Sequence, residues 1–298
     1  MIRNSKGFGI IELMVSILIA SIVIAGMYKL LTSSALNFGI SSASSRSGKS
    51  YRQVDNMLNN LLFQTGFINY RRVARNEELV EVDSKFEAPF NDKWQESEYV
   101  TGFSETNGND AVRIRFWGAS INDDTAVETG GAEANGFIFD CRGVPVPNTI
   151  MMEMLIRVVP GQGLTCSQHV LSNAGTTGFD DVDAQVIDRS IVSIRFLYGS
   201  TYFTTNASSD ANTMHFADDI GGTNMPEWTD VNVVKYSMIT SQETGQRAVG
   251  AKPTLTLFTA DESPNGSAIE YTVANNEQFN MHRVLSGSIS FVNANNFD

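Results

Sequence analysis

The chain is poor in the residues that metal centres and disulfide scaffolds need: 298 residues hold two cysteines and three histidines, without the paired ligand sets of a zinc signature. Zinc clusters and cysteine-stapled miniature folds are excluded on that ground. Prolines number seven and the first is Pro89, so nothing in the first 88 residues strongly breaks a helix. Basic side chains are also scarce, 21 against 33 acidic, giving a formal net charge of -12. Sequence-independent nucleic-acid binding by the body needs a basic footprint, so no direct nucleic-acid contact is expected. The hydrophobic share of 42% is too high for a disordered chain. What remains is an acidic globular protein with enough residues for one large or two small domains.

Its apolar residues are unevenly placed. Phe8 to Leu31 is almost wholly apolar, interrupted mainly by Glu12, Ser16, Ser21 and the Tyr28-Lys29 pair. As a helix these residues reach about 36 Å, enough to cross a hydrocarbon core of about 30 Å. Ahead of them lie Met1 to Gly7, with Arg3 and Lys6. Such a start resembles a secretory signal, but the run is long for a signal core and no small-x-small cleavage site follows in Thr32, Ser33, Ser34, Ala35 and Leu36. Positive charge before the span and an acidic body after it favour an anchor with a cytoplasmic N-terminus and an exported domain. Glu12 is then the anomaly, because a carboxylate in mid-membrane costs on the order of 3 kcal/mol and calls for a partner or a task.

The segment Lys6-Gly7-Phe8-Gly9-Ile10-Ile11-Glu12 resembles the class III leader junction of type IV pilins and pseudopilins. The shared pattern is a basic residue, Gly, Phe, three residues, Glu and an apolar helix. The resemblance implies that a membrane-embedded prepilin peptidase cuts between Gly7 and Phe8 and methylates the new N-terminal Phe8. Gly7 leaves a protease unobstructed, and loss of Arg3 and Lys6 leaves 291 residues with a side-chain charge of -14. The resemblance also gives Glu12 a role: pairing with the N-terminal amine of a neighbouring subunit and so setting register. Four segments are expected: a leader at 1–7, a transmembrane half-helix at 8–31, an amphipathic half-helix at 32–64, and a periplasmic β-rich head at 65–298.

Beyond the anchor, Tyr51, Val54, Leu58, Leu61 and Leu62 recur every three or four residues, the mark of a helix burying one face. The spacing predicts one stem from Phe8 to Leu62, and the Ser- and Gly-rich stretch Gly39 to Ser50 is where a hinge would fall. From about Thr65 the period changes to two. Val112 to Phe116, Met152 to Val158, Val192 to Tyr198, Ile269 to Val273 and Leu285 to Phe291 read as half-buried strands. Long polar loops are expected at Asn122 to Asn135, Ser172 to Asp183 and Tyr202 to Thr223. The fold class is therefore α+β, a long N-terminal hydrophobic helix packed on a C-terminal antiparallel β-sheet head with long loops. The head is similar to PilW-type minor pilins at Asp140-Cys141-Arg142-Gly143, at the Ile191 to Gly199 and Trp228 to Met238 strands, and at a final His282-Arg283-Val284 strand.

An exported head allows Cys141 and Cys166 to be oxidised to a disulfide, the alternative being two buried thiols. Gly48-Lys49-Ser50 lacks the earlier Gly of a phosphate loop, since Ala43 stands there. His169, His215 and His282 read as loop or surface residues. Asp180, Asp181, Asp183, Asp218 and Asp219 read as solvated acidic loops rather than a calcium site. Arg113 and Arg115, alternating on one strand, read as a solvated face. No nucleophile turn is present, and no catalytic residue, cofactor or metal is expected. The function implied is a non-enzymatic minor pilin acting in pilus initiation at the tip, in twitching, adhesion or DNA uptake. Its expected partners are prepilin peptidase, other minor pilins, the major pilin, the inner-membrane assembly platform and a tip adhesin. It would sit in the inner membrane before assembly and on the pilus at the cell surface afterwards. The alternatives are a pseudopilin of a type II secretion system and a membrane-anchored periplasmic enzyme or receptor.

Overall fold

The computed structural model describes residues 9–68, 79–121, 133–173, 181–200, 213–222, 225–243, 254–273 and 280–291. Helix α1 runs unbroken from Ile10 to Phe63, about 80 Å at 1.5 Å per residue. No hinge interrupts Gly39 to Ser50. The reason lies in which face those small residues occupy: Ala43, Ser47 and Ser50 begin the buried stripe that continues through Val54, Leu58, Leu61 and Leu62. Small side chains let the helix approach the head closely, and their hydroxyls are satisfied there. Ser47 Oγ lies 2.9 Å from Thr240 Oγ1, and Ser50 Oγ donates to the Asp188 carboxylate and lies 2.8 Å from Ser190 Oγ. Contacts of this kind offset the few tenths of a kcal/mol that each serine costs a helix.

Past the helix, Gly66 turns at φ +70° and its N–H donates to Arg115 O at 3.0 Å. The first sheet is an antiparallel meander in chain order: β1 (Val100–Ser104), β2 (Asp110–Trp117), β3 (Ile150–Val159), β4 (Gly163–Asn173) and β5 (Val182–Asp188). The second contains β6 (Ile191–Ser200), β7 (Thr213–His215), β8 (Val231–Glu243) and β11 (Asn280–Ser290), in the order β11-β8-β6-β7. A separate hairpin pairs β9 (Thr254–Phe258) with β10 (Ile269–Thr272). The C-terminal half of α1 packs on β8, β11 and β5, while β6 packs against β2, β3 and β4. Val54, Leu58 and Leu62 therefore share one core with Ile114, Met154, Ile194 and Tyr236.

Two glycines and one carboxylate fix how these layers meet. A Cβ on Gly102 of β1 would lie 2.3 Å from Tyr198 Oη of β6, so only glycine lets that ring cross the edge of the first sheet. Gly287 of β11 makes the same room for Tyr236 of β8, whose hydroxyl donates to Asp55 on α1. Asp110, at the start of β2, accepts Arg195 Nε at 3.0 Å and the Phe196 N–H at 2.8 Å from β6. Burial pushes its carboxyl above the usual range, and the Arg195 charge draws it back.

The outer face of the meander corrects the reading of Arg113 and Arg115. Both are fully buried, because residues 79–99 cross that face as a strap. Arg113 donates to Phe90 O and Asp92 O at 2.7 and 2.8 Å and to Thr101 Oγ1 at 3.0 Å. Arg115 donates to the carbonyls of Leu79, Val80, Gln95 and Glu98. The two guanidinium carbons stand 4.2 and 5.0 Å from the Trp94 ring centroid, and Trp94 Nε1 donates to Glu153 Oε2 at 2.8 Å. Glu153, paired in register with Arg115, also accepts Ser84 Oγ and the Lys85 N–H. Burial pulls the Arg115 guanidinium down to about 10, which still leaves it charged at neutral pH. A strap without regular structure cannot satisfy its own carbonyls, and long cationic forks reaching out of a strand supply the missing donors.

The strap also explains why β2 is buried along its whole length instead of half-buried. Strands β1, β4, β5, β7, β8 and β9 were not apparent from sequence period, β8 being expected only from the family resemblance. In β4 and β5, register shifts break the alternation, and β4 buries the polar Ser167 and Gln168 against specific partners. Trp228 precedes its strand in a single 3-10 turn, Trp228–Asp230, and meets the Tyr198 ring edge-on at 4.9 Å. Of the expected long loops, most residues lie outside those described, but β7 and the 3-10 turn Ala217–Asp219 fall within the third.

Replacing Arg115 by Leu leaves four strap carbonyls without their donor and should cost about 3 kcal/mol. Denaturant unfolding of the chain in detergent, followed by the fluorescence of its three tryptophans, measures that loss; a change below about 0.5 kcal/mol would show the strap to be held otherwise.

Candidate functional site

The part of the molecule that water does not suit is the N-terminal half of α1. Every large apolar side chain from Ile10 to Leu31 is exposed, Ile10, Ile11 and Leu30 by more than 70%. Each such side chain gains roughly 1.5–3 kcal/mol when it leaves water, so the segment calls for lipid or for other apolar helices. Its backbone is already closed by helical hydrogen bonds, as a membrane interior requires. The helix is long and apolar enough to cross a membrane. Its small polar side chains are satisfied internally: Ser16 Oγ donates to Glu12 O at 2.5 Å, Ser21 Oγ to Leu18 O at 2.8 Å, and Thr32 Oγ1 lies 3.0 Å from Tyr28 O.

Glu12 is the exception. It stands in the first turn, its N–H bonded to Gly9 O at 3.0 Å, where the helix dipole favours negative charge. With Gly9 and Ser16 it lines a shallow groove along one face of the helix, flanked by Ile11, Val15 and Ile19. Among the described residues, no cation lies within ion-pair reach of its carboxylate. A carboxylate so placed, beside a glycine and a serine and flanked by apolar side chains, can receive a cation from another chain at close range. Gly7 and Phe8 lie outside the described residues.

At the other end of the stem, the structure joins Cys141 to Cys166, 25 residues apart. Cys141 sits in the tight turn of a hairpin whose geometry follows from Asp140. One carboxylate oxygen accepts the N–H groups of Arg142 and Val144, both at 2.8 Å, and the other accepts Arg142 Nε at 2.9 Å and Gln168 Nε2 at 3.1 Å. Gly143 supplies the φ of +78° that closes the turn. The Gln64 side chain, just past α1, exchanges two hydrogen bonds with the backbone of Phe139, at 2.8 and 3.0 Å. The hairpin is thereby fastened to both the stem and β4.

The remaining candidates are dispersed. Gly48-Lys49-Ser50 lies in mid-helix, with Ser50 turned to the head and Lys49 outward. His169, His215 and His282 lie on β4, β7 and β11, so they are strand residues and not loop residues. His169 packs edge-on against Phe86 at 4.6 Å, and its Nδ1 is 3.3 Å from Asp181 Oδ2. Asp181 also accepts the Val170 N–H at 3.0 Å, so it fastens the β4–β5 edge and is not simply a solvated loop acid. Asp180 lies outside the described residues, and among those described no group of His, Cys, Asp and Glu could hold a metal.

Residues 2–28 match the protein family described as the prokaryotic N-terminal methylation motif. That range contains the Gly7-Phe8 junction and Glu12, so the N-terminal region carries a methylation motif of that description. No curated protein matches the sequence. Among solved structures, the chain is similar to the Type IV-like pilin TTHA1219 from Thermus thermophilus, at 10% identity and a TM-score of 0.45, covering 84% of this chain and 98% of that one. A likeness so distant carries no argument about function.

Removal of the disulfide, by Cys141→Ser with Cys166→Ser, should lower stability by about 3 kcal/mol, the loop-closure value for a span of this length. Thermal unfolding of the oxidised protein and the double variant, both without reductant, measures the difference. Equal melting temperatures would show that Asp140 and Gln64 hold the hairpin unaided.

Proposed function

We propose that this chain is a minor pilin of a type IV pilus, of the PilW type, and acts as a structural subunit and not as an enzyme. The observation that carries the reading is the stem: its exposed apolar half begins inside the methylation motif and continues, without a break, into a helix packed on the head. In this reading prepilin peptidase cuts between Gly7 and Phe8 and methylates Phe8. The 8–31 half-helix holds the subunit in the inner membrane with its head, 65–298, in the periplasm. The half-helix then leaves lipid for a bundle of like helices as the subunit enters the pilus. The exchange is nearly neutral for the apolar side chains, since lipid and bundle both exclude water. Selection therefore falls to polar contacts, and in this reading the Glu12 carboxylate pairs with the N-terminal amine of a neighbour. The partners are the peptidase, other minor pilins, the major pilin, the assembly platform and a tip adhesin, and the outcome is fibre initiation and surface display for twitching, adhesion or DNA uptake.

Mass spectrometry of the N-terminal peptide from native membranes, with and without the host's prepilin peptidase, tests processing. A chain starting at methylated Phe8, lost when the peptidase is absent, is expected; an intact Met1 to Gly7 leader in both would sink the reading. Glu12→Ala should leave cleavage largely intact while reducing recovery of the subunit in sheared pili about tenfold or more, the scale of an unpaired charge at a buried interface. Recovery equal to wild type would contradict the role given to Glu12.

A further inference from the structure

Charge is divided unevenly between the stem and the rest of the chain. From Phe8 to Gln64 the acids are Glu12 and Asp55 alone, against Lys29, Arg46, Lys49 and Arg52. Residues 65–298 hold the other 31 of the 33 acidic side chains, with 15 of the 21 basic ones. Asp55 is engaged inside the fold as the acceptor of Tyr236. Arg46, Lys49 and Arg52 are exposed, on the side of α1 away from its buried stripe, and fall within about 9 Å of helix axis. Among the described residues, none of the three has a side-chain hydrogen bond or ion pair.

The cations do not end on a bare helix. Toward the C-terminus the same face continues as Gln53, Asn56 and Asn60, whose amides enter a groove of about 620 Å³ floored by Met57 and Leu61. The disulfide hairpin and β5 form its walls, and Arg142 at its edge is already neutralised by Asp140. A cationic approach thus leads into a cleft with amide donors and an apolar floor.

We propose that this face of the stem, from Arg46 to Asn60, docks an acidic surface on the head of a neighbouring subunit. The proposal rests on the pilus-subunit reading and names a contact within it. Charge complementarity selects the occupant: the chain's own head type is strongly acidic, the stem face is cationic, and fibre assembly brings stems among heads. Lipid headgroups fit poorly, since Arg46 lies about 22 Å along the helix beyond Leu31 and the Debye length at physiological salt is about 8 Å. Nucleic acid needs a continuous basic track, and beyond these three cations the groove is lined by a single cation, Arg142, already paired with Asp140. A protein carboxylate cluster reaches the three cations at close range, and the amides of Gln53, Asn56 and Asn60 supply the hydrogen bonds that a desolvated polar partner needs.

The test places a photocrosslinking residue at Asn56 of the full chain, expressed in its native envelope with the other pilus subunits. After irradiation, crosslinked peptides are mapped by mass spectrometry. The expected product joins Asn56's position to an acidic segment of another subunit's head, and R46E/K49E/R52E lowers its yield about tenfold at 0.15 M salt. Because that triple variant alters a helix surface, R46Q/K49Q/R52Q is run beside it, with a smaller loss expected in the same direction. A yield indifferent to both variants overturns the proposal, as does crosslinking only to lipid, to nucleic acid or to the walls of its own groove, or to nothing. The N-terminal mass of the same samples reports processing separately. A processed chain without the crosslink removes the docking face alone, whereas an uncleaved leader removes the pilin reading.

Discussion

The rest of the structure depends on one helix being asked to satisfy two solvents. From Ile10 to Leu31 it presents apolar side chains on all sides, and from Ala43 to Leu62 it buries a single narrow stripe. The two demands are compatible because the helix closes its own backbone throughout, leaving only side chains to be matched to their surroundings. Absence of proline before Pro89 permits that continuity, and the packing of Ser47 and Ser50 against the head stabilises the stretch where local propensity is weakest. The head is thus held at a fixed distance and orientation on a rod.

The head then has to grip the rod without a conventional interface of large side chains at its lower end. It does so with small residues at that end and two longer anchors beyond them: Tyr236 passes over Gly287 to reach Asp55, and the Gln64 side-chain amide exchanges two hydrogen bonds with the Phe139 backbone. The disulfide adds a covalent tie between the hairpin and β4, so the groove beside the stem has two firmly held walls. On the far side of the meander, Arg113, Arg115 and Glu153 stabilise the strap by supplying what an irregular segment lacks, donors for its carbonyls and an acceptor for the Trp94 indole. Breaking that network would expose both the strap and the outer face of β2.

Legibility in the sequence followed locality. The stem was readable because helical period and membrane-type composition are properties of neighbouring residues, and the Gly7-Phe8 pair with Glu12 because a short motif is likewise a pattern of neighbouring residue types. Strands β2, β3, β6, β10 and β11 were readable where alternation survived. Strands β4 and β5 were not, because bulges shift their register and buried polar side chains such as Gln168 mimic a loop in composition. Arg113 and Arg115 failed for the related reason that a charged side chain on an alternating strand is normally solvated, and only the strap, distant in sequence from neither but irregular in structure, reverses that expectation.

The sequence by itself determined that an apolar helix some 80 Å long with its stem continuation leads an acidic antiparallel β head, and that the N-terminus carries a methylation-type junction with one carboxylate beside it. Those properties reside in period, composition and short motifs, which do not depend on distant partners. Only the tertiary structure decided that the Ser-rich stretch is packing surface and not a hinge, that two arginines are interior, and that Arg46, Lys49 and Arg52 face outward on the approach to a groove walled by the disulfide hairpin and β5. Each of these turns on which remote segment covers a given face, and the free energy of covering is set by groups that lie dozens to hundreds of residues away.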